Sequence, residues 1–391
     1  MRHPLRWLVL FLLTSCGPAM EVPDAGATDS GTTDSGATDA GTADAGTTDA
    51  GTTDAGTTDG GTPDAGVPDA GPSFRLPTCL GPSLPMRGAG QLPYVDATLG
   101  TGATAETRAF LIDFGSTSSW VDLGAFTGAP QLFCSGGSCT FAGFDYFGAW
   151  GQVTLNTSDF SGFPGPPRQA GIIGTDFLSV NPTTLDYRGR RVFSTSPGTF
   201  CAPGQLADAG FAELSTAGFY STSFSSLRPL SSVVDGGAAG LTVPNVPTLR
   251  LRVAGIEALA QLDTGFDDAV VRNSININDA YLNALLSQAP GALVRAPGLD
   301  LTLSTCAGVP EPVTAWRVAA GRQLEFVAAD GTTVRASGNA VLFAKNTPAA
   351  ARVCGGIGTW SVNAAQVAAS FFVDAQAVVF DPVRSTVWMP R

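Results

Sequence analysis

A ten-residue segment that occurs twice limits how this chain can fold more than any other feature. Residues 177–186 align without gaps on residues 372–381, and each copy ends in an aspartate, followed by a turn containing arginine and then an apolar pair. The apolar pairs are Val192-Phe193 and Val387-Trp388. Because both copies lie downstream of an aspartate in a glycine turn, the pattern predicts two related lobes whose boundary lies between residues 201 and 244. The identities are few, so two unrelated strand endings are the alternative.

The two aspartate turns carry the candidate chemistry. Asp263-Thr264-Gly265 lies between two apolar runs, and Asp113-Phe114-Gly115-Ser116 follows the apolar residues Phe110-Leu111-Ile112. Each aspartate ends a segment that is predicted to be a buried strand, so the turns predict one site built from two half-sites. A single Asp-Thr-Gly is also an ordinary surface turn, and the prediction depends on the two turns occurring together.

Missing residue types exclude several kinds of active site. In a chain of 391 residues the only histidine is His3 and the only lysine is Lys345. Without histidine in the mature protein, a Ser-His or Cys-His catalytic pair cannot form, and the commonest protein ligand of zinc is absent. No Cys-x-x-Cys pair occurs, so we predict neither a metal nor a cofactor. Carboxylates are then the acid-base groups to expect in a hydrolase.

The charge of the chain is concentrated in one segment. The formal net charge is -12, but residues 16–72 hold eleven acidic residues and no basic one. From residue 73 onward there are 19 basic and 22 acidic residues, a net charge of -3. A nearly neutral domain without a basic stripe is not expected to bind nucleic acid.

The N-terminus has the pattern of an export signal. Two arginines precede an apolar run at 7–13, and Cys16 follows after two small residues. The run is too short for a stable membrane span. Residues 13–16 resemble a bacterial lipobox, which implies a signal peptide of residues 1–15 and lipidation of Cys16. The glycine that follows favours the outer membrane or cell surface, and an ordinary signal that happens to contain cysteine is the alternative.

Residues 16–72 are predicted to be a disordered tether. An aspartate recurs every five residues from Asp24 to Asp69, and the only sizeable apolar side chain in this repeat is Val67. Such a stretch cannot bury a core, and its like charges repel one another. A calcium-binding repeat is the alternative, although no regular apolar position is present on which repeats could stack. We expect the tether to hold the folded part away from a membrane.

The remainder is predicted to be mostly β, since short apolar runs alternate with Gly, Pro, Asn and Asp turns. Asp279 is the expected N-cap of a helix over 280–287, with a weaker helix around 364–370. We place the first lobe at 73–225 and the second at 226–391. The runs predicted as strands include 94–99, 109–113, 152–155 and 378–380.

With these features the chain resembles the pepsin-like aspartic proteases. Asp113-Phe114-Gly115-Ser116 followed by Trp120-Val121 matches the first motif of that family in spacing, and Asp263-Thr264-Gly265 matches the second. Ile172-Ile173-Gly174 resembles the element that crosses behind the first catalytic turn, which we call the crossing element. Asp267-Asp268, after the second motif, is closer to the retroviral single-lobe relatives.

The resemblance covers residues 94–391 and implies both a fold and a reaction. The fold is mostly β and bilobal, the pepsin-like aspartic protease fold of two related β-barrel-like lobes with a cleft between them. Two carboxylates held close together cannot readily both ionise, so Asp113 and Asp263 would share one proton. The ionised one would activate a water, and the other would donate to the carbonyl oxygen of an extended polypeptide substrate. The implied function is that of a monomeric, exported, lipid-anchored aspartic endopeptidase.

Further site residues are implied by the same resemblance. An aromatic flap residue should cover the cleft, and the candidates are Tyr146 and Trp150, with a plain core aromatic as the alternative. Four turn residues should support the carboxyl pair, and the glycines among them allow a tight turn where a Cβ would obstruct. These four are Gly115, Ser116, Thr264 and Gly265.

Three residues depart from the pattern of the family. Phe114 replaces a Thr or Ser whose hydroxyl braces one lobe against the other, which leaves that role to Thr264 alone. Phe266 replaces the usual Ser or Thr beside the second aspartate, and Ala369 stands where the second lobe would have its crossing glycine. These changes favour the alternative function, a catalytically inactive surface-binding lipoprotein that keeps the fold.

Six cysteines are left once Cys16 is lipidated, and in an exported protein an even set predicts three disulfides. By resemblance, Cys134 and Cys139 close a small loop after the first motif. Two further pairs would staple the lobes, a connectivity that spacing alone does not establish. These pairs are Cys79 with Cys201 and Cys306 with Cys354.

Overall fold

The structure, a computed structural model, describes residues 74–163, 165–214, 216–220, 246–305, 307–354 and 356–391. The predicted signal peptide, Cys16, the tether and the predicted lobe boundary at residue 225 lie outside these ranges. Within them, no helix is both long and apolar enough to cross a membrane.

Strands dominate the described part of the chain. The α-helices are short: α1 (Thr175–Leu178), α2 (Pro203–Asp208), α3 (Asp279–Gln288) and α4 (Ser370–Ala375). Short 3-10 helices lie at Thr78–Leu80, Gly102–Thr104, Leu123–Ala125, Pro297–Leu299, Ala349–Cys354 and Ile357–Thr359. The strands in chain order are β1 (Ser83–Pro85), β2 (Tyr94–Leu99), β3 (Glu106–Ile112), β4 (Trp120–Val121), β5 (Gln131–Ser135), β6 (Ser138–Phe141), β7 (Phe144–Asp145), β8 (Val153–Thr157), β9 (Gln169–Ile173), β10 (Thr183–Asp186), β11 (Arg191–Ser194), β12 (Phe211–Glu213), β13 (Thr216–Tyr220), β14 (Val246–Val253), β15 (Ile256–Leu262), β16 (Ser274–Asn278), β17 (Leu293–Arg295), β18 (Leu301–Ser304), β19 (Pro310–Val318), β20 (Leu324–Val327), β21 (Thr333–Ser337), β22 (Val341–Lys345), β23 (Ala364–Val367), β24 (Ala377–Asp381) and β25 (Thr386–Pro390).

The first-lobe sheet has the strand order β5-β6-β8-β4-β9-β3-β2-β7. Strand β9 runs parallel to β3 on one side and antiparallel to β4 on the other, and all five of its residues are buried. Asp113 follows directly on the last residue of β3, and its N–H donates to the carbonyl oxygen of Ile173 on β9 at 3.0 Å. The first aspartate is therefore anchored to the carboxyl end of two buried parallel strands.

The second-lobe sheet repeats this arrangement. Its order is β17-β19-β22-β16-β23-β15-β14-β20-β21, with β13 paired to β14 and β18 paired to β19. Strand β23 runs parallel to β15 and antiparallel to β16, as β9 does between β3 and β4. Asp263 follows β15, and its N–H donates to the carbonyl oxygen of Val367 on β23 at 3.1 Å. The two half-sites are built in the same way.

A third sheet, which we call the shared sheet, has the order β1-β11-β10-β24-β25-β12 and takes strands from both halves of the chain. The repeated segments supply its centre, where β10 and β24 are antiparallel, with Thr183 opposite Phe380 and Asp186 opposite Ala377. Asp186 and Asp381 each accept a backbone N–H from the residue three positions later, so both copies end in the same kind of turn. The predicted bilobal, mostly β fold is confirmed.

One face of the shared sheet is covered by the start of the chain. Phe74 packs edge-to-face on Phe211, with 5.2 Å between ring centroids, in a buried cluster that also contains Leu80 and Trp388. Burying each such side chain contributes on the order of 1.5 to 3 kcal/mol. Residues 74–82 are therefore part of the folded unit.

Two disulfides link cysteine pairs that the sequence analysis proposes. Cys79 bonds to Cys201 across 122 residues, and Cys134 bonds to Cys139 across the β5–β6 hairpin. In the loop-entropy model, closing a loop of this larger size stabilises the fold by roughly 4 to 5 kcal/mol. Cys306 and the side chain of Cys354 lie outside what the structure describes, and their pairing stays a prediction.

Two of the predicted helices need correction. Helix α3 begins at Asp279 itself, and Asn278 is its N-cap, because the Asn278 side chain accepts the N–H of Tyr281 at 3.0 Å. Residues 364–367 form β23, a strand buried between β15 and β16, and helix α4 starts only at Ser370. A short apolar run of this kind fits a buried strand and a helix equally well in sequence.

Candidate active site

The aspartates of the two turns, one from each lobe, lie next to each other. The carboxyl groups of Asp113 and Asp263 share a side-chain hydrogen bond. Both residues are buried, with 6% and 8% of their surface exposed. The structure thus brings together the two residues proposed as a pair, while their catalytic role stays a prediction.

The glycines of the turns make this approach possible. Gly115 N–H donates to Asp113 Oδ1 at 2.7 Å, and Gly265 N–H donates to Asp263 Oδ1 at 2.9 Å. A Cβ on Gly115 would lie 2.3 Å from Cγ of Asp263, and a Cβ on Gly265 would lie 2.6 Å from Oδ2 of Asp113. Any side chain at either position would therefore push the two carboxyl groups apart.

Burial and mutual repulsion make the two carboxyls unequal. Burial raises the pKa of Asp113, while the N–H of Gly115 and the hydrogen bond with Asp263 oppose that rise. The pKa of Asp263 is raised well above its ordinary value, first by burial and then by the negative charge of Asp113. Two carboxyls this close do not readily both ionise, so the pair shares one proton, and the larger rise in the pKa of Asp263 favours that side of the pair.

Thr264 braces the first turn from the second. The backbone N–H of Phe114 donates to Thr264 Oγ1 at 3.0 Å, and the same hydroxyl donates to the carbonyl oxygen of Ile112 at 2.7 Å. The Phe114 ring instead stacks on Phe380 of the shared sheet, with 3.8 Å between centroids and 18° between planes. The brace runs through one hydroxyl, and aromatic packing takes the place of the second.

The first crossing element closes behind the Asp113 turn. Ser116 Oγ donates to the carbonyl oxygen of Ser118 at 2.7 Å, and the Ser116 carbonyl oxygen accepts the N–H of Thr175 at 2.8 Å. A Cβ on Gly174 would lie 2.6 Å from the Ser118 carbonyl oxygen, so glycine is required there by the close contact. Ser116 supports the turn through backbone contacts.

The second lobe has alanine at this point: Ala368 follows Val367 as Gly174 follows Ile173, and Ala369, expected at the place of the crossing glycine, bonds Phe266 as Thr175 bonds Ser116. Ala369 is fully buried with φ -61° and ψ -29°, directly before helix α4, and its N–H donates to the carbonyl oxygen of Phe266 at 3.0 Å. Here the chain turns into a helix, and alanine suits that conformation. The loss of the expected glycine is thus compatible with an intact second turn.

An amide that the sequence analysis did not single out contacts the pair. Gln366 Nε2 donates to Asp263 Oδ2 at 2.5 Å, and its own carbonyl oxygen accepts from Asn276 Nδ2 at 3.0 Å. Gln366 immediately precedes Val367-Ala368-Ala369, so a polar residue in an otherwise apolar crossing stretch was the available signal.

A small apolar cluster of the first lobe includes Leu111, two residues before Asp113. Leu111 and Ile172 are buried in a small cluster into which Tyr94 and Trp120 also pack. Tyr94 Oη donates to Gln169 Oε1 at 2.9 Å, and its pKa is raised by burial and then by the negative charges of Asp267 and Asp113. Tyr94 is therefore close enough to Asp113 for the charge of the pair to affect its pKa.

Asp267 and Asp268 bind the chain before β2. Gln91 Nε2 donates to Asp267 Oδ1 and to Asp268 Oδ1, both at 2.7 Å. Asp268 is 1% exposed and also accepts from the Ser370 hydroxyl and the N–H of Ser274. These contacts tie the second aspartate turn to the first lobe.

The flap candidates lie in the first-lobe core. Tyr146 is 4% exposed and packs against Phe144 and Phe147, and its pKa is raised by burial. Trp150 donates its ring N–H to the carbonyl oxygen of Tyr146 at 2.8 Å and packs edge-to-face on Phe177. In this structure Tyr146 is a buried aromatic and Trp150 is partly buried, and the assignment of either to a flap stays a prediction.

The described residues contain no cluster of three or more His, Cys, Asp or Glu side chains that could hold a metal ion.

Fold and site together define a bilobal, mostly β protein in which two buried aspartates, one from each lobe, meet. No protein-family model matches the chain, and no curated protein matches it. Solved structures similar to it include basic 7S globulin from soybean, at 12% identity and a TM-score of 0.38, covering 79% of this chain and 93% of that one. Conglutin gamma, a unique basic 7S globulin from lupine seeds, matches at 9% identity and a TM-score of 0.38, covering 79% and 94%.

These comparisons correct the family assignment made from the motifs. The pepsin-like family is not supported by a family model, and the similar structures are seed globulins. The retroviral likeness around Asp267-Asp268 and the lipoprotein signal find no support either. At TM-scores below 0.5 the globulins carry no argument about function, which must come from the site.

Proposed function

We propose that the chain hydrolyses peptide bonds with a water activated between Asp113 and Asp263. The observation that carries the proposal is the buried, hydrogen-bonded carboxyl pair. An acid and a base within reach of one water are what such a reaction needs, and the sequence contains no histidine other than His3 to supply them otherwise.

The steps follow from the two protonation states. Asp113 takes a proton from the water as the water oxygen attacks the peptide carbonyl carbon, and Asp263 donates its proton to the carbonyl oxygen. The resulting diol collapses when Asp263 takes a hydroxyl proton back and Asp113 passes its proton to the leaving nitrogen, which breaks the C–N bond. Both carboxyls return to their starting states, and the products are a free acid and a free amine.

A polypeptide in an extended conformation is the proposed substrate. The partly buried side chains of Tyr94 and Trp120 pack on the cluster of Leu111 and Ile172, and Tyr94 lies near Asp113, which supports a preference for an apolar side chain next to the scissile bond. Burying such a side chain favours binding by roughly 1.5 to 3 kcal/mol.

The second candidate function is that of a catalytically inactive binding module. The one-sided brace, with Phe114 in place of a hydroxyl, favours it, and the comparisons with seed globulins lend catalysis no support. In this candidate the carboxyl pair would be a structural remnant that lies between the lobes.

Peptide cleavage across pH separates the two candidates. The experiment compares the wild type with Asp113→Asn and Asp263→Asn, each with and without pepstatin, and uses Asp374→Asn as a control because Asp374 is an exposed partner of Arg272. Catalysis predicts that each dyad variant loses about 10²-fold or more of the rate while the control keeps it. A folded wild type that cuts no peptide at any pH would leave the binding module as the function.

Export of the chain is proposed on separate grounds. The Cys79–Cys201 and Cys134–Cys139 bonds support an oxidising compartment, where disulfides persist. Thiol labelling of the protein in intact cells and in cell fractions tests this, and finding all these cysteines reduced in the cytosol would exclude export. Membrane anchoring through Cys16 concerns residues outside the described ranges and stays a prediction.

A further inference from the structure

Three buried amides cross the second-lobe sheet where Asp263 leaves it, and we call them the amide row. Asn276 on β16 is directly opposite Gln366 on β23, and Gln366 is beside Gln261 on β15. Their exposures are 1%, 6% and 4%. Because residues two apart on a strand share a face, the row lies on the same face as Asp263.

The matching places in the first lobe are apolar. Leu111 on β3 is beside Ile172 on β9, and Ile172 is opposite Trp120 on β4. Ile172 corresponds to Gln366 by its place in the hydrogen-bond pattern. The N–H of Asp113 donates to Ile173, the residue after Ile172, and the N–H of Asp263 donates to Val367, the residue after Gln366. Ile172 has no donor to offer, so the two half-sites differ in polarity although their backbones are alike.

The hydrogen bonds fix how Gln366 is oriented. A carboxamide donates from its nitrogen and accepts at its oxygen, and Asn276 Nδ2 already occupies the oxygen at 3.0 Å. The Gln366 NH2 group is therefore directed at Asp263 Oδ2, 2.5 Å away, while Gly265 N–H holds Oδ1. Each oxygen of Asp263 therefore accepts a hydrogen bond from a fixed donor. Gln366 supplies a side-chain donor where Phe266, which replaces a Ser or Thr beside the aspartate, has none.

We propose that Gln366 is a positioning residue of the aspartate pair: oriented by Asn276, it holds the Asp263 carboxyl in place and opposes its protonation. The titratable group that faces Asp263 is Asp113 on the first turn. Asp267 and Asp268 follow on its own turn, and Tyr94 on β2 lies near Asp113 and Asp267. The consequence for catalysis rests on the proposed function, whereas the consequence for the titration of Asp263 does not.

The effect on pH dependence has a definite sign. A donor to a carboxylate stabilises its ionised form, so removing the Gln366 amide raises the pKa of Asp263. In the proposed reaction Asp263 must be protonated, and its ionisation sets the alkaline limb of activity. Loss of the amide should move that limb to higher pH and leave the acid limb, set by Asp113, nearly unchanged.

The test replaces Gln366 by methionine, which has a similar length and no N–H. Gln261→Met is the matched control, since Gln261 is an equally buried glutamine in register with Gln366, and its Nε2 has no hydrogen-bond partner among the described residues. Carbon-13 NMR of the aspartate carboxyls follows the titration in the full chain, with Asp263→Asn to assign the signal. We expect the Asp263 titration and the alkaline limb to rise by about one to two pH units in Gln366→Met and by much less in Gln261→Met.

Each outcome decides one question. Unchanged titration of Asp263 in a folded Gln366→Met protein overturns the inference, even if the wild type cleaves peptides. If the pKa of Asp263 rises in Gln366→Met but the wild type cuts no peptide, the positioning role is supported and the proposed function is refuted. If Gln366→Met does not fold, Asn276→Leu, which does not touch Asp263, should still give a smaller upward shift, and no shift there overturns the inference.

Discussion

Phe114 stacks on Phe380 with 18° between the ring planes, which joins the first aspartate turn to the centre of the shared sheet. Both rings are fully buried, and Phe380 also packs edge-to-face on Phe372. The residue that departs from the motif in sequence is therefore a packing residue in the fold. It links the carboxyl pair to the strands formed by the repeated segments.

Phe114→Ala should destabilise the fold by about 3 to 5 kcal/mol, because it leaves a cavity beneath the first turn and removes a stacked ring. Urea unfolding measures the change in the free energy of unfolding. Phe133→Ala is the control, since Phe133 is 60% exposed and its loss should change stability by less than about 0.5 kcal/mol. Equal effects of the two substitutions would contradict the packing role of Phe114.

Asp263→Asn should stabilise the protein at neutral pH. Burial raises the pKa of Asp263 above its ordinary value of 3.8, so the folded state keeps a proton that the unfolded state has already lost. The unfolding free energy of the wild type should therefore fall as pH rises from 3.8 to the raised pKa, by up to about 1.4 kcal/mol per pH unit. Below 3.8 this contribution vanishes, since Asp263 is protonated in both states.

Chemical unfolding between pH 3 and pH 8 checks this prediction. Asp176 and Asp268, whose pKa values are also raised by burial, add the same kind of slope to both proteins. The difference between wild type and Asp263→Asn isolates the pair. Curves that run parallel across the whole range would show that Asp263 does not hold the proton.

Lys345 forms a buried ion pair in the second lobe. Its Nζ lies 3.1 Å from Glu311 Oε2, and both side chains are less than 10% exposed. Burial lowers the pKa of Lys345, and the charge of Glu311 opposes this. Lys345→Met should cost about 3 to 5 kcal/mol, because it leaves the Glu311 carboxylate buried without a cation.

The double variant Lys345→Met/Glu311→Leu should recover most of that loss, since replacing both charges by apolar groups removes the uncompensated carboxylate. Thermal and urea unfolding of the four proteins form a double-mutant cycle. A double variant as unstable as the sum of the two single ones would mean that the pair is not coupled.

The strands and turns that carry the two aspartates could be predicted from the sequence, whereas the side chains that hydrogen-bond the carboxylates could not. The two turns predicted a site because each aspartate follows an apolar strand, and the repeat predicted two related halves. That the repeated segments pair with each other, as β10 and β24, is a finding of the structure. Gln91 and Gln366 reach their carboxylates across 177 and 103 residues of chain, and contacts that remote leave no periodic signal. The sequence around Tyr146 suggested a residue of the site, but in the structure its side chain is buried among other aromatic rings.

Thr264 offers the last test, because one hydroxyl both accepts from the Phe114 N–H and donates to the Ile112 carbonyl. Thr264→Val keeps the shape and leaves two buried backbone groups without a partner, which should cost about 2 to 4 kcal/mol. Thr264→Ser keeps the hydroxyl and should recover most of this loss. Hydrogen exchange at the Phe114 amide gives a local readout: it should speed up in the valine variant and stay slow in the serine variant. If the Phe114 amide exchanged equally fast in both variants, the brace would not depend on the Thr264 hydroxyl.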